Sequence, residues 1–200
     1  VHADAWVRFE HERVAAVGTG DSWRIAGQQH PDDTIVDASG HWLTPGFVDI
    51  HGHGGGGVSY DDGAEQILTA RALHRAHGTT RAVISLVTAP LDALATRVAL
   101  IAELCAAHPD ILGSHLEGPF LDPGHKGAHD ASQLREPDEA AVALLIEAAS
   151  GTLCQVTIAP ELPGGMAAVA QLRAAGVVPA IGHTDADFGG AQAAINDEAG

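Results

Sequence analysis

The sequence of 200 residues predicts an α/β fold made of successive strand and helix units. From Pro45 onward, short apolar runs typical of buried strands alternate with segments in which apolar residues recur at the helical period of 3.6. We count five such units. The predicted strands cover 47–53, 79–88, 111–118, 152–160 and 177–186, and the predicted helices cover 64–78, 91–109, 137–150, 165–176 and 187–200.

The position of the polar residues in these units favours a barrel over an open sheet. HGH, HLEG, APE and GHTD stand at the carboxyl ends of the first, third, fourth and fifth predicted strands. Barrels carry their active sites on the face where those ends meet, whereas an open doubly wound sheet uses them only near a switch point. A complete barrel has eight units, so the sequence predicts an incomplete (βα)8 TIM barrel.

The first 44 residues have a different pattern and predict a separate small β domain. Two alternating runs, AWVRFEHERVAAVG and TIVDASGHWLTPG, are broken by polar and Gly/Pro stretches. We therefore predict a partial β-sandwich-like flanking domain at 1–44 and the partial barrel at 45–200.

Composition and charge exclude several classes of partner. The formal net charge is −16, with 26 acidic and 10 basic residues, and the arginines form no cluster that could bind nucleic acid or an anionic membrane. No apolar run is long enough to cross a bilayer, and there is no recognisable targeting signal. We expect a cytoplasmic protein with no nucleic-acid or membrane partner.

His51, His53, Glu117 and His183 form a candidate metal-binding set. In a strand, residues i and i+2 project from the same face, so the two histidines of HGH can point together to one ion. Imidazole and carboxylate ligands suit Zn²⁺ or another divalent transition metal such as Fe, Co or Mn. The four glycines at 54–57 are expected to supply positive φ and close backbone approach beside the site.

Each residue of this set also has a structural interpretation. The HxH pattern can arise from strand alternation alone, Glu117 can be an ion-pair partner of an arginine, and His183 can be a hydrogen-bonded core histidine. A further pair of histidines, His125 and His129, can belong to a solvated turn.

Four segments together resemble the N-acetylglucosamine-6-phosphate deacetylases of the amidohydrolase superfamily. They are PGFVDIHGHGGGG at 45–57, GSHLEGPFLDPGHKGAHD at 113–130, TIAPE at 157–161 and IGHTDA at 181–186. The segments are in the order and at the spacing of that family, and the long second segment is the most specific. The resemblance covers most of the chain, and it implies a barrel of the amidohydrolase type with a small flanking domain.

The resemblance implies a role for each matched position. Glu117 and His183 match ligands of a main metal site, and His51 and His53 match ligands of a second metal found in some members. Ala128 and His129 match positions that contact the substrate, and His129 is placed to polarise the acetyl carbonyl. Family members release acetate from N-acetylglucosamine 6-phosphate, a small amino-sugar phosphate, and give glucosamine 6-phosphate.

Other family positions are expected beyond residue 200. They are the catalytic Asp after the eighth strand, a further metal-binding His after the sixth, and the Arg and His that bind phosphate. We therefore expect the 200-residue chain alone to be inactive, and the full-length protein to be a homodimer. Two alternatives stay open, namely another amidohydrolase acting on a cyclic amide, and a truncated remnant that binds metal or sugar phosphate without catalysis.

Overall fold

The chain folds as two compact units, and the boundary between them in the sequence lies between Thr44 and Pro45. The computed structural model describes residues 2–196. The first unit contains an antiparallel hairpin and one helix, namely β1 (Ala5–Glu10), β2 (Arg13–Thr19) and α1 (Trp23–Gln29).

The prediction of strands in the second alternating run of this unit is wrong. Residues 34–46 contain no strand, and their apolar side chains Ile35, Val36 and Trp42 are exposed. Alternation produces a strand only where a neighbouring strand pairs with it, because a single strand leaves its backbone hydrogen-bonding groups unsatisfied. This run has no pairing strand among residues 2–196.

The second unit contains the predicted alternation of strands and helices. The strands are β3 (Phe47–Asp49), β4 (Gly54–Gly55), β5 (Val58–Ser59), β6 (Thr79–Val87), β7 (Ile111–Glu117), β8 (Leu153–Ile158) and β9 (Val178–Ile181). The helices are α2 (Ala64–Ala76), α3 (Leu91–Ala107), α4 (Glu139–Ala148), α5 (Gly165–Ala174) and α6 (Phe188–Asn196).

Five of these strands form one parallel sheet in the order β3-β6-β7-β8-β9. The order in space is the order along the chain, so the described sheet has no switch point of the kind that defines a doubly wound fold. A helix connects each of β6, β7, β8 and β9 to the strand before it. The predicted α/β fold, an incomplete barrel of five strands, is confirmed.

The core lies between the sheet and the helices that cover it. Ile84 and Leu86 on β6 and Leu116 on β7 are fully buried, and helix α3 packs Leu94 and Ile101 into the same cluster. β7 is almost continuously buried, as expected of a central parallel strand covered on both faces. Burial of each such side chain stabilises the fold by about 1.5–3 kcal/mol. This core therefore fixes the strand ends that carry the polar residues.

The prediction that His51 and His53 lie within the first strand is wrong. That strand was predicted over 47–53 but ends at Asp49, so both histidines follow β3.

Other predicted elements are slightly too long. The last strand stops at Ile181, because Gly182 and His183 leave the sheet, whereas the prediction continued to residue 186. Helix α4 begins after Asp138, whose carboxylate accepts a hydrogen bond from the Ala141 amide and caps the helix. The final part of the predicted last helix, 197–200, lies outside the described residues.

Within residues 2–196, no helix combines the length and the apolar character needed to cross a bilayer.

Candidate metal centre

Glu117, at the carboxyl end of β7, is the centre of a cluster of four histidines. Its carboxylate lies 2.7 Å from Nε2 of His53, 3.1 Å from that of His183, and 3.3 Å from that of His51. The Nε2 atom of His129 is 3.5 Å away. Only 11% of the Glu117 side chain is exposed, so a buried carboxylate is surrounded by imidazole nitrogens.

The four glycines after HGH form a tight hairpin. Gly56 and Gly57, between β4 and β5, both have positive φ, as in the two-residue turns that suit the twist of a hairpin. Gly54 has φ of 142°, and a Cβ atom there would stand 2.1 Å from the Val58 carbonyl oxygen. The expectation of positive φ and close backbone approach is confirmed at these positions.

This hairpin returns the chain to His53 and holds it there. The His53 carbonyl accepts hydrogen bonds from the Tyr60 amide at 2.9 Å and from the Ser59 hydroxyl at 3.3 Å. Asp61, which follows Tyr60, forms an ion pair of 3.0 Å with Arg97 on helix α3. The backbone around His53 is therefore fixed by groups on both sides of the hairpin.

His183 directs its Nε2 atom at Glu117 and contacts the backbone through its other ring nitrogen. Its Nδ1 lies 2.8 Å from the carbonyl oxygen of His125, which can only accept, so the ring proton is on Nδ1. A carbonyl partner of this kind is typical of metal-binding histidines. The residue has φ of 53°, a left-handed conformation that costs free energy in a residue other than glycine.

His129 has the opposite arrangement of its ring nitrogens. Its Nδ1 accepts a hydrogen bond from the Thr88 amide at 3.3 Å, so the neutral ring carries its proton on Nε2. That proton points into the cluster, where Nε2 faces Glu117. His129 is thus arranged as a hydrogen-bond donor, although its position would also allow a metal contact.

The chain is similar in sequence to known sugar-phosphate deacetylases. No protein-family model matches the chain. The chain is 34% identical to an N-acetylgalactosamine-6-phosphate deacetylase of Escherichia coli, over 82% of this chain and 44% of that protein. It is also 34% identical to a human N-acetylglucosamine-6-phosphate deacetylase, over 96% of this chain and 47% of that protein.

The chain is also similar in structure to a solved deacetylase. A mutant N-acetyl-D-glucosamine-6-phosphate deacetylase of Mycobacterium smegmatis, in complex with N-acetyl-D-glucosamine-6-phosphate, superposes with a TM-score of 0.85 at 41% identity. The match covers 96% of this chain and 48% of that one. The chain is homologous to part of the N-acetylglucosamine-6-phosphate deacetylases. It spans about half the length of the deacetylase relatives it matches.

The electrostatics of the cluster keep Glu117 ionised. Hydrogen bonding to His53 is the largest cause that holds the pKa of Glu117 far below its ordinary value, and it outweighs the effect of burial. The same contact raises the pKa of His53. Burial lowers the pKa of His129, so its ring favours the neutral form with the proton on Nε2.

The donor atoms fit a divalent ion in two overlapping groups. One consists of His51, His53 and Glu117, and the other of Glu117, His129 and His183, each with its donor atoms within 4.8 Å of one another. In the first group the two Nε2 atoms are 3.2 Å apart, so removal of any proton between them would bring two lone pairs to one point beside a carboxylate. Imidazole and carboxylate donors in this proportion suit zinc and neighbouring metals.

The structure brings together five of the six site residues predicted from the sequence. The sixth, Ala128, is exposed in the loop beside His129, and no contact gives it a role. Glu117 has histidine partners and no arginine partner among the described residues. Of the histidine pair in this loop, His125 is exposed and paired with Asp122, whereas His129 is 8% exposed.

Three buried hydroxyl residues beside the cluster were not predicted from the sequence, namely Ser85, Thr88 and Thr157. Ser85 and Thr157 both bond the ring of His115, a fully buried histidine on β7, while Thr88 donates through its amide to His129. The signal was present, because Ser85 interrupts the apolar run VISLV and Thr88 follows it at a strand end. A lone hydroxyl residue in a strand is too common to be singled out.

Proposed function

We propose that this chain carries the metal-binding part of an amide hydrolase that removes acetate from N-acetylglucosamine 6-phosphate. The products would be acetate and glucosamine 6-phosphate, as in amino-sugar catabolism. The single observation that carries the proposal is the convergence of four histidine Nε2 atoms on the buried Glu117 carboxylate. The deacetylase relatives and their solved structures support the same reaction.

The residues of the cluster divide the work of amide hydrolysis. A divalent ion bound there would supply Lewis acidity toward the amide oxygen and would lower the pKa of a coordinated water. Glu117 and His183 would hold the ion of the main site, and His51 and His53, together with Glu117, would hold a second ion. His129 donates a hydrogen bond from its Nε2–H group to the acetyl carbonyl oxygen, which stabilises the negative charge that develops there in the transition state.

Release of the amine requires one more group, because the leaving nitrogen must receive a proton. From the deacetylase resemblance we expect the aspartate for this step, and the residues that bind phosphate, beyond residue 200. We therefore propose that turnover needs the longer protein, and that the 200-residue chain binds metal without releasing acetate.

We further propose zinc as the metal, with iron, cobalt or manganese as alternatives, because histidine and carboxylate ligands accept all of them. We propose a cytoplasmic homodimer as the full-length form. The alternative substrate is N-acetylgalactosamine 6-phosphate, because a relative at 34% identity is an N-acetylgalactosamine-6-phosphate deacetylase.

The test is acetate release by the full-length protein and by the 200-residue chain, measured after reconstitution with Zn²⁺. The substrates are both sugar phosphates, N-acetylglucosamine without phosphate, and a cyclic amide such as hydantoin. Acetate from a sugar phosphate with the long form alone would support the proposal. Hydantoin opening in place of acetate release would favour the cyclic-amide alternative. Metal binding by the full-length protein without turnover of any substrate would favour the remnant.

A further inference from the structure

Ser85 stands between the proposed metal ligands and a buried histidine. Its hydroxyl oxygen lies 3.1 Å from the amide nitrogen of Gly52 and 2.8 Å from Nδ1 of His115. The other ring nitrogen of His115 lies 2.8 Å from the Thr157 hydroxyl. Ser85 and His115 are both fully buried and stand opposite each other on β6 and β7. One chain of hydrogen bonds therefore links three strands beneath the cluster.

The direction of these hydrogen bonds follows from satisfying the buried groups. The Gly52 amide can only donate, so the Ser85 oxygen accepts there and its own proton is free to donate to Nδ1 of His115. His115 then carries its proton on Nε2 and donates to Thr157. The reverse order would leave the hydroxyl proton of Ser85 without an acceptor in a site with no exposure, which is costly.

Gly52 is the residue between the two histidines of HGH, and Ser85 holds it at both backbone groups. The Gly52 amide donates to the Ser85 hydroxyl, and the Gly52 carbonyl accepts from the Ser85 amide at 3.2 Å. His115 adds a second support, because its ring packs edge to face against His51 with centroids 4.7 Å apart. The turn that directs His51 and His53 is thus fixed from below.

We propose that Ser85 and His115 are positioning residues for the turn at 51–53, and that they set the affinity of the ion held by His51, His53 and Glu117. This inference rests on the proposed function, because it requires that the cluster binds metal. Loss of outer partners of this kind weakens metal binding by about 10–100-fold. The group that includes His183 has a separate support, the His125 carbonyl, and keeps its affinity.

The experiment is a Zn²⁺ titration of the full-length protein against a competing chelator, with the wild type, Ser85→Ala and His51→Asn. His51→Asn identifies which of the two ions belongs to the HGH group. Ser85→Ala is expected to weaken that same ion by about 10–100-fold and to leave the other unchanged. The matched control is Ser114→Ala, which also removes a buried strand hydroxyl, but one with no hydrogen-bond partner among residues 2–196.

The outcomes separate this inference from the proposed function. A wild-type protein that binds no Zn²⁺ would overturn both. Wild-type affinity for both ions in Ser85→Ala, or equal weakening of both, would overturn the inference and leave the proposed function intact. If Ser85→Ala does not fold, His115→Gln replaces it, because it removes the ring that contacts His51 and is expected to weaken the same ion.

Discussion

His115 should make the metal-free protein sensitive to mild acid. It is fully buried between two hydroxyl groups, and burial is the largest cause that lowers its pKa to about 4. In the unfolded chain a histidine has a pKa of about 6.5, so the unfolded state takes up the proton first as the pH falls. Replacing His115 with Gln removes this titration and leaves a neutral side chain.

The magnitude follows from the difference between the two pKa values. Each unit corresponds to about 1.4 kcal/mol, so His115 is expected to lower the free energy of unfolding by about 2 kcal/mol between pH 7 and pH 5. About 3 kcal/mol is lost by pH 4, and the loss levels off at about 3.4 kcal/mol below pH 3, where the histidine is protonated in both states. The contribution of His115 to stability is therefore present at neutral pH and is lost as the pH falls, because its pKa is lower in the folded state than in the unfolded state.

The assay is urea unfolding followed by circular dichroism at pH 7 and pH 5, with a chelator present, for the wild type and His115→Gln. Other groups titrate equally in both proteins to first order, so the difference between their pH dependences isolates His115. A wild type that loses about 2 kcal/mol more than the variant would agree with the structure. Equal losses in the two proteins would refute the idea that His115 is held neutral by burial.

Three further predictions concern the site and its hairpin. Glu117→Gln should abolish binding at the main site and lower the metal content measured by plasma emission, whereas Glu147→Gln, on an exposed face of α4, should leave it unchanged. Equal metal content in Glu117→Gln and the wild type would contradict the assignment of Glu117 as a metal ligand. His51→Asn should lose one ion and retain the other. Gly54→Ala should destabilise the fold by roughly 1–3 kcal/mol in thermal unfolding, because a Cβ there meets the Val58 carbonyl. Gly57→Ala, with positive φ but open space, is the milder control, and equal effects of the two changes would speak against a steric cause.

The order of strands and helices could be predicted because each element leaves a local pattern. The segments that became α3 and β7 show the helical period and a continuous apolar run, and their ends were predicted to within two residues. The run at 34–46 shows the limit of this reasoning. Its alternation resembles that of β1 and β2, but strand formation depends on a partner strand that the run itself does not encode.

The candidate site could be predicted only where its residues stand in compact motifs. HGH, HLEG and GHTD placed four proposed ligands at strand ends. The burial of His129 could not be read locally, because its Nδ1 is held by Thr88, which is 41 residues away. Ser85 and His115 are 30 residues apart and meet only through strand register, so their link is visible only in the folded chain.

Glu117 belongs to both candidate groups, and this sharing limits how charge can be balanced. The described donors contribute four imidazoles and a single carboxylate. One divalent ion already outweighs the charge of that carboxylate, and a second ion would leave an uncompensated positive excess in a partly buried site, which is unfavourable. Two ions in this site therefore require an anionic ligand in addition to the described donors, and the aspartate expected beyond residue 200 would be one.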